Sequence, residues 1–233
     1  MVALESLKTQ DRLLDRQAAS SIRRQIVSGM MPPGHRLLET ELARNLEVSR
    51  GTIRSALMQL TSEGLVCQVA FTKWEVAPAS VHEAWELYTL RAVLEGLGAR
   101  LAAERATPAS RTQLAKAFSE LEKAAKAGNR EAIVDADFNL HRTVIGMSGH
   151  GRLIQQHERL IQQVRFQMTH IGLTARDYHH LLEDHRALKD AVASGDADKA
   201  EQLARTHNSA EVERLLAESV KEKSAAAGRD SPG

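Results

Sequence analysis

Apolar and polar positions alternate along the chain with two different textures, and the change falls near Pro78. Between Ser20 and Met30 the apolar residues Ile22, Ile26 and Val27 share one helical face, and Pro32-Pro33-Gly34 closes that segment. A second helix is predicted from near Thr40, with Leu42, Ala43 and Leu46 turned inward. After the tight turn at Glu47-Val48, Ser49 is placed to cap a third helix, whose Ile53, Ala56, Leu57 and Leu60 fall at i, i+3, i+4 and i+7. Gly64 ends it, and a β-like run from Leu65 to Phe71 continues into Lys73–Val76. One helix, two short helices joined by a tight turn, then two strands describe a winged helix-turn-helix.

From Val81 onward the pattern is helical throughout. Six helices are predicted, at about 81–105, 110–127, 130–147, 152–171, 176–193 and 197–218, with breaks at Pro108, Gly128-Asn129, Ser148-Gly149, Gly172 and Gly195-Asp196. Connections this short join antiparallel neighbours. The expected fold class is therefore mainly α: an N-terminal winged helix-turn-helix over 1–78, an all-α six-helix bundle over 79–223, and a disordered tail over 224–233.

Composition narrows the picture. Hydrophobic residues at 42% and charged residues at 26% exclude wholesale disorder and a membrane-embedded body, while aromatics at 3% exclude a sheet sandwich. Cys67 is the single cysteine, so no intramolecular disulfide and no Cys-x-x-Cys motif exists. No window has signal-peptide or membrane-spanning character, and a cytoplasmic location with no membrane partner is expected. The net charge of +1 divides into +2 up to Pro78, from ten Lys/Arg against eight Asp/Glu, and −1 beyond it. Binding to a polyanion must then come from the local placement of arginines.

Such a placement exists on the third helix. Arg50 and Arg54 are four residues apart and lie opposite Ile53, Ala56 and Leu57, with Ser49 and Thr52 beside them. That face suits a major groove: arginine donates two hydrogen bonds to guanine, and hydroxyls at a helix N-terminus suit phosphate. The alternative is a solvated surface pair.

A second constellation lies in the helical part. Asp137 and His141 are one turn apart, displaced by about 6 Å along the axis. His185 and His207 stand mid-helix among apolar neighbours on two later helices. An unpaired imidazole in a bundle interior is costly, and a shared ion resolves the cost. Three imidazoles and one carboxylate form a borderline donor set suited to Zn²⁺, Ni²⁺, Mn²⁺ or Fe²⁺. If the ion keeps positions open, a small carboxylate can bind it directly, with Arg91 as second anchor. The alternative for Arg91 is an intrahelical pair with Glu95 at i+4.

Two resemblances connect these readings. The runs Pro32-Pro33-Gly34-His35-Arg36-Leu37, Glu41-Leu42-Ala43, Val48 to Leu57 and Glu63-Gly64-Leu65-Val66 resemble the N-terminal domain of GntR-family bacterial transcription regulators. The resemblance implies that Arg50 and Arg54 contact bases or phosphates, with Ser49, Gly51 and Thr52 at the helix start contributing. Arg36, Arg44 and, on the wing, Lys73 are further candidates. Thr72-Lys73 stands where that family commonly has a basic residue and glycine, and Phe71 and Trp74 are expected to pack against the helical part. Arg91 to Glu95, Asp137 with His141, His185 before Gly195-Asp196, and His207 resemble the FCD effector domain of the FadR-type branch. By that resemblance Asp137, His141, His185 and His207 are metal ligands and the cavity beside them takes the effector.

The combined expectation is a homodimeric regulator, a repressor, that binds double-stranded operator DNA and releases it when a small carboxylate effector binds beside a divalent metal ion. Two alternatives are a metal-dependent enzyme of small organic acids and a regulator whose metal is purely structural.

Overall fold

The computed structural model describes residues 9–69, 73–171, 178–210 and 213. The expected tail over 224–233, the end of the last expected helix and the wing-tip residues Phe71 and Thr72 lie outside the described residues. The chain divides into two compact units, Met1–Ser80 with Arg165–Gly172, and Val81–Val164 with Leu173–Gly233.

The first unit contains α1 (Thr9–Val27), β1 (Arg36–Leu37), α2 (Glu39–Asn45), α3 (Arg50–Ser62), β2 (Val66–Val69) and β3 (Lys73–Val76). The helix expected from Ser20 begins earlier, at Thr9. The expected apolar face is the one that is buried: Ile22 and Ile26 on α1, Leu42 on α2, and Ile53, Ala56, Leu57 and Leu60 on α3 join Leu65, Val66, Trp74 and Val76 in one core. Ser49 caps α3 by accepting a hydrogen bond from Thr52 N at 3.0 Å. Arg23 on α1 pairs in bidentate fashion with Glu63 at the end of α3, both contacts at 2.7 Å.

The strands form an antiparallel sheet in the order β1-β3-β2, with Arg36 opposite Glu75 and Gln68 opposite Trp74. The sequence pattern anticipates β2 and β3 but not β1, because two residues are too short to show a period and their partner strand lies more than thirty residues away. Trp74 is a correction. It is buried within this unit's own core, where its strand register directs it, and is not a residue set aside for the helical part.

The second unit is helical among its described residues: α4 (Val81–Glu104), α5 (Pro108–Ala127), α6 (Arg130–Met147), α7 (Gly151–Ile171), α8 (Tyr178–Ser194) and α9, which covers 197–210. The last residues of α7, from Arg165, are grouped with the first unit. Ala99, Leu114, Phe118, Leu121, Leu140, Val144, Leu188 and Val192 lie in its apolar core. The small residues have a packing reason: a Cβ at Gly98 of α4 would meet Ile145 Cδ1 at 2.3 Å, so α4 and α6 approach closely there. The breaks at Pro108, Gly128-Asn129, Ser148-Gly149 and Gly195-Asp196 fall where they are read from sequence, and the one at Gly172 lies outside the described residues. Thr107 and Asn129 cap α5 and α6, and Gly128 ends α5 in the left-handed region at φ 66°.

Two glycine-to-alanine changes should move stability in opposite directions. Gly128→Ala places a Cβ in open space but on a left-handed backbone and should cost about 1 kcal/mol. Gly146→Ala, also open but helical, should add about 0.5–1 kcal/mol. Urea denaturation of the two variants checks both signs.

Candidate functional site

In the first unit, Arg36, Arg50, Arg54 and Lys73 line one cleft of about 560 Å³, together with Glu39, Thr40, Met58, Gln68 and Trp74. Four cations from β1, α3 and β3 meet there because the short β1 pairs with β3 beside the exposed face of α3. Arg44 is exposed on α2 and does not line this cleft, and Gly51 is exposed in the first turn of α3. The hydroxyls of Ser49 and Thr52 are 3.0 Å apart and engaged at the cap.

Glu39 lies at the cleft's centre, and sequence reasoning missed it. Its carboxylate accepts from Arg54 Nε at 3.0 Å and Nη2 at 2.9 Å, and from Trp74 Nε1 at 3.1 Å, with Arg50 Nη2 at 3.7 Å. The Arg54 hydrogen bonds hold the Glu39 carboxyl below the usual carboxylate range, against a smaller opposing effect of burial. Arg54 is thereby presented in a fixed, fork-shaped orientation. A signal existed in the acidic first turn of a helix directly following a basic strand, but the pairing spans fifteen residues and depends on the fold.

In the second unit the four residues expected around an ion converge. Asp137 and His141 project from α6, His185 from α8 and His207 from α9. The ligand atoms of the three histidines all lie within 4.8 Å of one another. His141 Nε2 is 3.0 Å from His185 Nε2, and Asp137 Oδ1 is 2.7 Å from His185 Nε2 and 3.7 Å from His141 Nε2. His141 and His185 are buried, and the His207 side chain is 9% exposed.

Hydrogen bonding behind the rings fixes which nitrogens face inward. His185 Nδ1 donates to the Leu181 carbonyl at 2.7 Å, and a carbonyl can only accept. His141 Nδ1 is 2.8 Å from Glu95 Oε2. With Nδ1 carrying the proton in each neutral ring, both Nε2 lone pairs point at the same place, toward the carboxylate oxygen Asp137 Oδ1, which is buried without a hydrogen-bond partner. Three electron-rich atoms within such distances repel one another unless a proton or a cation stands between them. Two nitrogens bound at right angles to one ion at about 2.1 Å are about 3 Å apart, as these are. The donor set fits a divalent transition metal.

The electrostatics agree with this geometry. Burial pushes His207 down to about 4 and, together with neighbouring Arg91, keeps His141 below its ordinary value despite Glu95, so both rings offer lone pairs at neutral pH. Burial also opposes charge on His185, but Asp137 overrides it and raises that ring's pKa. The Asp137 carboxyl is held far below the usual range, because the nearby His185 and His141 outweigh its burial.

Behind the centre stands Glu95, a second residue missed from sequence except as a possible partner of Arg91. Its carboxylate receives Arg91 Nε at 2.7 Å, His141 Nδ1 at 2.8 Å, His157 Nε2 at 2.9 Å and Asn208 Nδ2 at 2.9 Å. The pair read as the alternative for Arg91 is thus formed. Yet Arg91 Nη2 is buried with no hydrogen-bond partner, so one donor remains on a side chain 3% exposed. Its guanidinium carbon lies 5.5 Å from the Phe138 ring and 5.7 Å from the Tyr88 ring.

Comparison with known proteins places this arrangement in context. The model for bacterial regulatory proteins of the gntR family matches residues 14–69, and the FCD domain model matches residues 86–210. The galactonate operon transcriptional repressor of Escherichia coli is 31% identical over 215 residues, covering 82% of this chain and 92% of that one. The Nta operon transcriptional regulator of Aminobacter aminovorans is 31% identical over 140 residues, 60% of this chain and 66% of that one. Among solved structures, E. coli McbR/YncC superposes with a TM-score of 0.72 at 21% identity, over 94% of this chain and 99% of that one.

Glu95→Ala should leave the Arg91 guanidinium buried without its counter-charge and should cost about 3–5 kcal/mol. Chemical denaturation of the purified variant measures it, and a loss under 1 kcal/mol would refute the central role given to this carboxylate.

Proposed function

Because the chain belongs to the GntR family of bacterial transcriptional regulators and carries an FCD domain, we propose that it is a metal-dependent repressor whose operator affinity is set by a small carboxylate bound beside the ion. It is a regulator of transcription rather than an enzyme. The observation that carries the metal reading is the convergence of two Nε2 lone pairs and an unpartnered buried carboxylate oxygen on one point, closed by His207.

Asp137, His141, His185 and His207 would hold the ion, and Zn²⁺, Ni²⁺, Mn²⁺ or Fe²⁺ all accept this donor set. When bound, the ion supplies a positive charge and open positions to which a carboxylate can attach. Glu95 orients the His141 ring and the Leu181 carbonyl that of His185, as second-layer hydrogen bonds do at metal centres. The free Nη2 of Arg91 is the donor for the effector's carboxylate, which makes the effector class a small organic acid. The names of two relatives, one a galactonate operon repressor, support repression as the mode of action.

On the operator, Arg50 and Arg54 read bases or phosphates, with Ser49, Gly51 and Thr52 at the helix start and Arg36, Arg44 and Lys73 as flanking phosphate contacts. A homodimer, acting in the cytoplasm where its DNA is, would read two half-sites related by symmetry. An effector that prefers one dimer geometry by about 1–3 kcal/mol changes operator affinity by about 5–150-fold, sufficient for a switch.

His185→Ala should lower the metal bound per chain, measured by elemental analysis, with helical content retained; undiminished metal would refute the ligand set. Metal affinity should rise with pH. His185, whose pKa lies above its ordinary value, would have to lose a proton to hold an ion, so titrations at pH 5.5 and 7.5 should give the tighter constant at 7.5. Arg54→Ala should abolish retention of the operator fragment in a gel-shift assay while metal content stays at the parent level. Operator binding at parent strength would remove Arg54 from the reading face.

A further inference from the structure

Arg36, Arg50, Arg54 and Lys73 line the cleft of the first unit, and Glu39 stands as an acid among them. An anion in that place weakens the hold on any polyanion, yet the fold fixes it there. The Glu39 side chain is 13% exposed, and its Oε1 accepts from the indole of Trp74, which is buried in the core of the first unit. That anchor keeps the carboxylate from swinging aside when a phosphate approaches. A cost to general affinity built into a binding face points to selectivity, which is a difference between affinities.

The pairing of Glu39 with Arg54 uses one edge of the guanidinium. Nε donates to Oε1 at 3.0 Å and Nη2 to Oε2 at 2.9 Å. Of the five N–H groups of the fork three remain, and two of these, one on Nη1 and one on Nη2, run parallel from its tip. The Arg54 side chain is 60% exposed. In a major groove, two neighbouring acceptors occur on guanine, at O6 and N7, whereas adenine sets a donor beside N7 and neither pyrimidine carries such a pair. Arg50, on the same helix, comes only to 3.7 Å of Glu39 and takes no comparable orientation from it.

We propose that Glu39 is a positioning residue for operator selectivity: by occupying the Nε and Nη2 edge it holds Arg54 with the Nη1 and Nη2 edge free for a guanine. The inference deepens the reading of α3 as the operator-reading helix and rests on it. Glu39 touches no DNA in this role. It lowers affinity for every duplex and raises discrimination among them, because an arginine released from it pairs as readily with phosphate, which any sequence supplies.

The test uses the full chain and a pool of duplexes randomised across the binding site, at one fixed salt concentration. Selection with the parent should enrich a guanine that Arg54→Lys does not select, since an ammonium lacks the paired edge. Exchanging that guanine for 7-deazaguanine, which lacks N7, should weaken the parent about tenfold and Arg54→Lys less than about twofold. Glu39→Gln should bind an unrelated duplex at least as tightly as the parent, yet respond to the exchange less than about twofold. Glu39→Asp, which keeps the charge but is a methylene too short to hold both nitrogens, should lose the response in the same way. Trp74→Phe, which removes the indole N–H and keeps a ring in the core, should respond as the parent does; a loss equal to that of Glu39→Gln would assign the effect to the strand and overturn the positioning role. Circular dichroism shows that each variant is folded. A pool from which the parent enriches no sequence overturns the operator reading together with this proposal. An enriched site indifferent to 7-deazaguanine overturns the guanine contact, and a parent-like response in Glu39→Gln and Glu39→Asp overturns the role of Glu39 alone.

Discussion

A single carboxylate buried in the helical unit, that of Glu95, is the constraint to which the surrounding side chains conform. An ionised carboxylate in a bundle interior is unstable unless its lone pairs are met, and here the donors come from α4, α6, α7 and α9. Burial favours protonation, yet Arg91 and the nearby His141 reverse this and hold Glu95 well below the usual carboxylate range. Its charge balances Arg91, its orientation sets the tautomer of His141, and its contact with His157 ties in α7. The lone pair that His141 turns toward the cluster exists because this group spends an acceptor on the far side of that imidazole, as the Leu181 carbonyl does for His185.

The arrangement also separates two charges that would otherwise cancel. Arg91 is neutralised chiefly by Glu95, which leaves Asp137 with an unpartnered oxygen turned toward the histidines. Had Arg91 paired with Asp137 instead, the cluster would hold three imidazoles and no free anion, a weaker set for a divalent ion. The i+4 spacing of Arg91 and Glu95 on one helix is the local reason for this partition, since neighbours one turn apart meet before partners on another helix.

Much of this was legible in the sequence. Ile53, Ala56, Leu57 and Leu60 announced the buried face of α3, and the breaks at Gly128-Asn129 and Gly195-Asp196 located helix ends to within a residue or two. The three histidines of the candidate site were readable because imidazoles mid-helix among leucines are costly unless shared, and Asp137 because it stands one turn before His141. What was not legible depended on distance along the chain. Strand β1 is two residues long and meets its partner nearly forty residues later. His157 is buried on Glu95 sixty-two residues away, and Asn208 reaches the same carboxylate across 113 residues. Periodicity reports which face of a helix is apolar, but not which polar atom on another helix meets it.

Glu39 shows the same economy in the first unit. One carboxylate accepts from the Trp74 indole on β3 and from the Arg54 guanidinium on α3. Residues 39, 54 and 74 are consequently bound into one trait. If Arg54 reads the operator as proposed, a lineage that exchanges it leaves the Glu39 carboxylate with only the Trp74 indole and the more distant Arg50 as partners, so a change in half-site preference would favour a matching change at position 39.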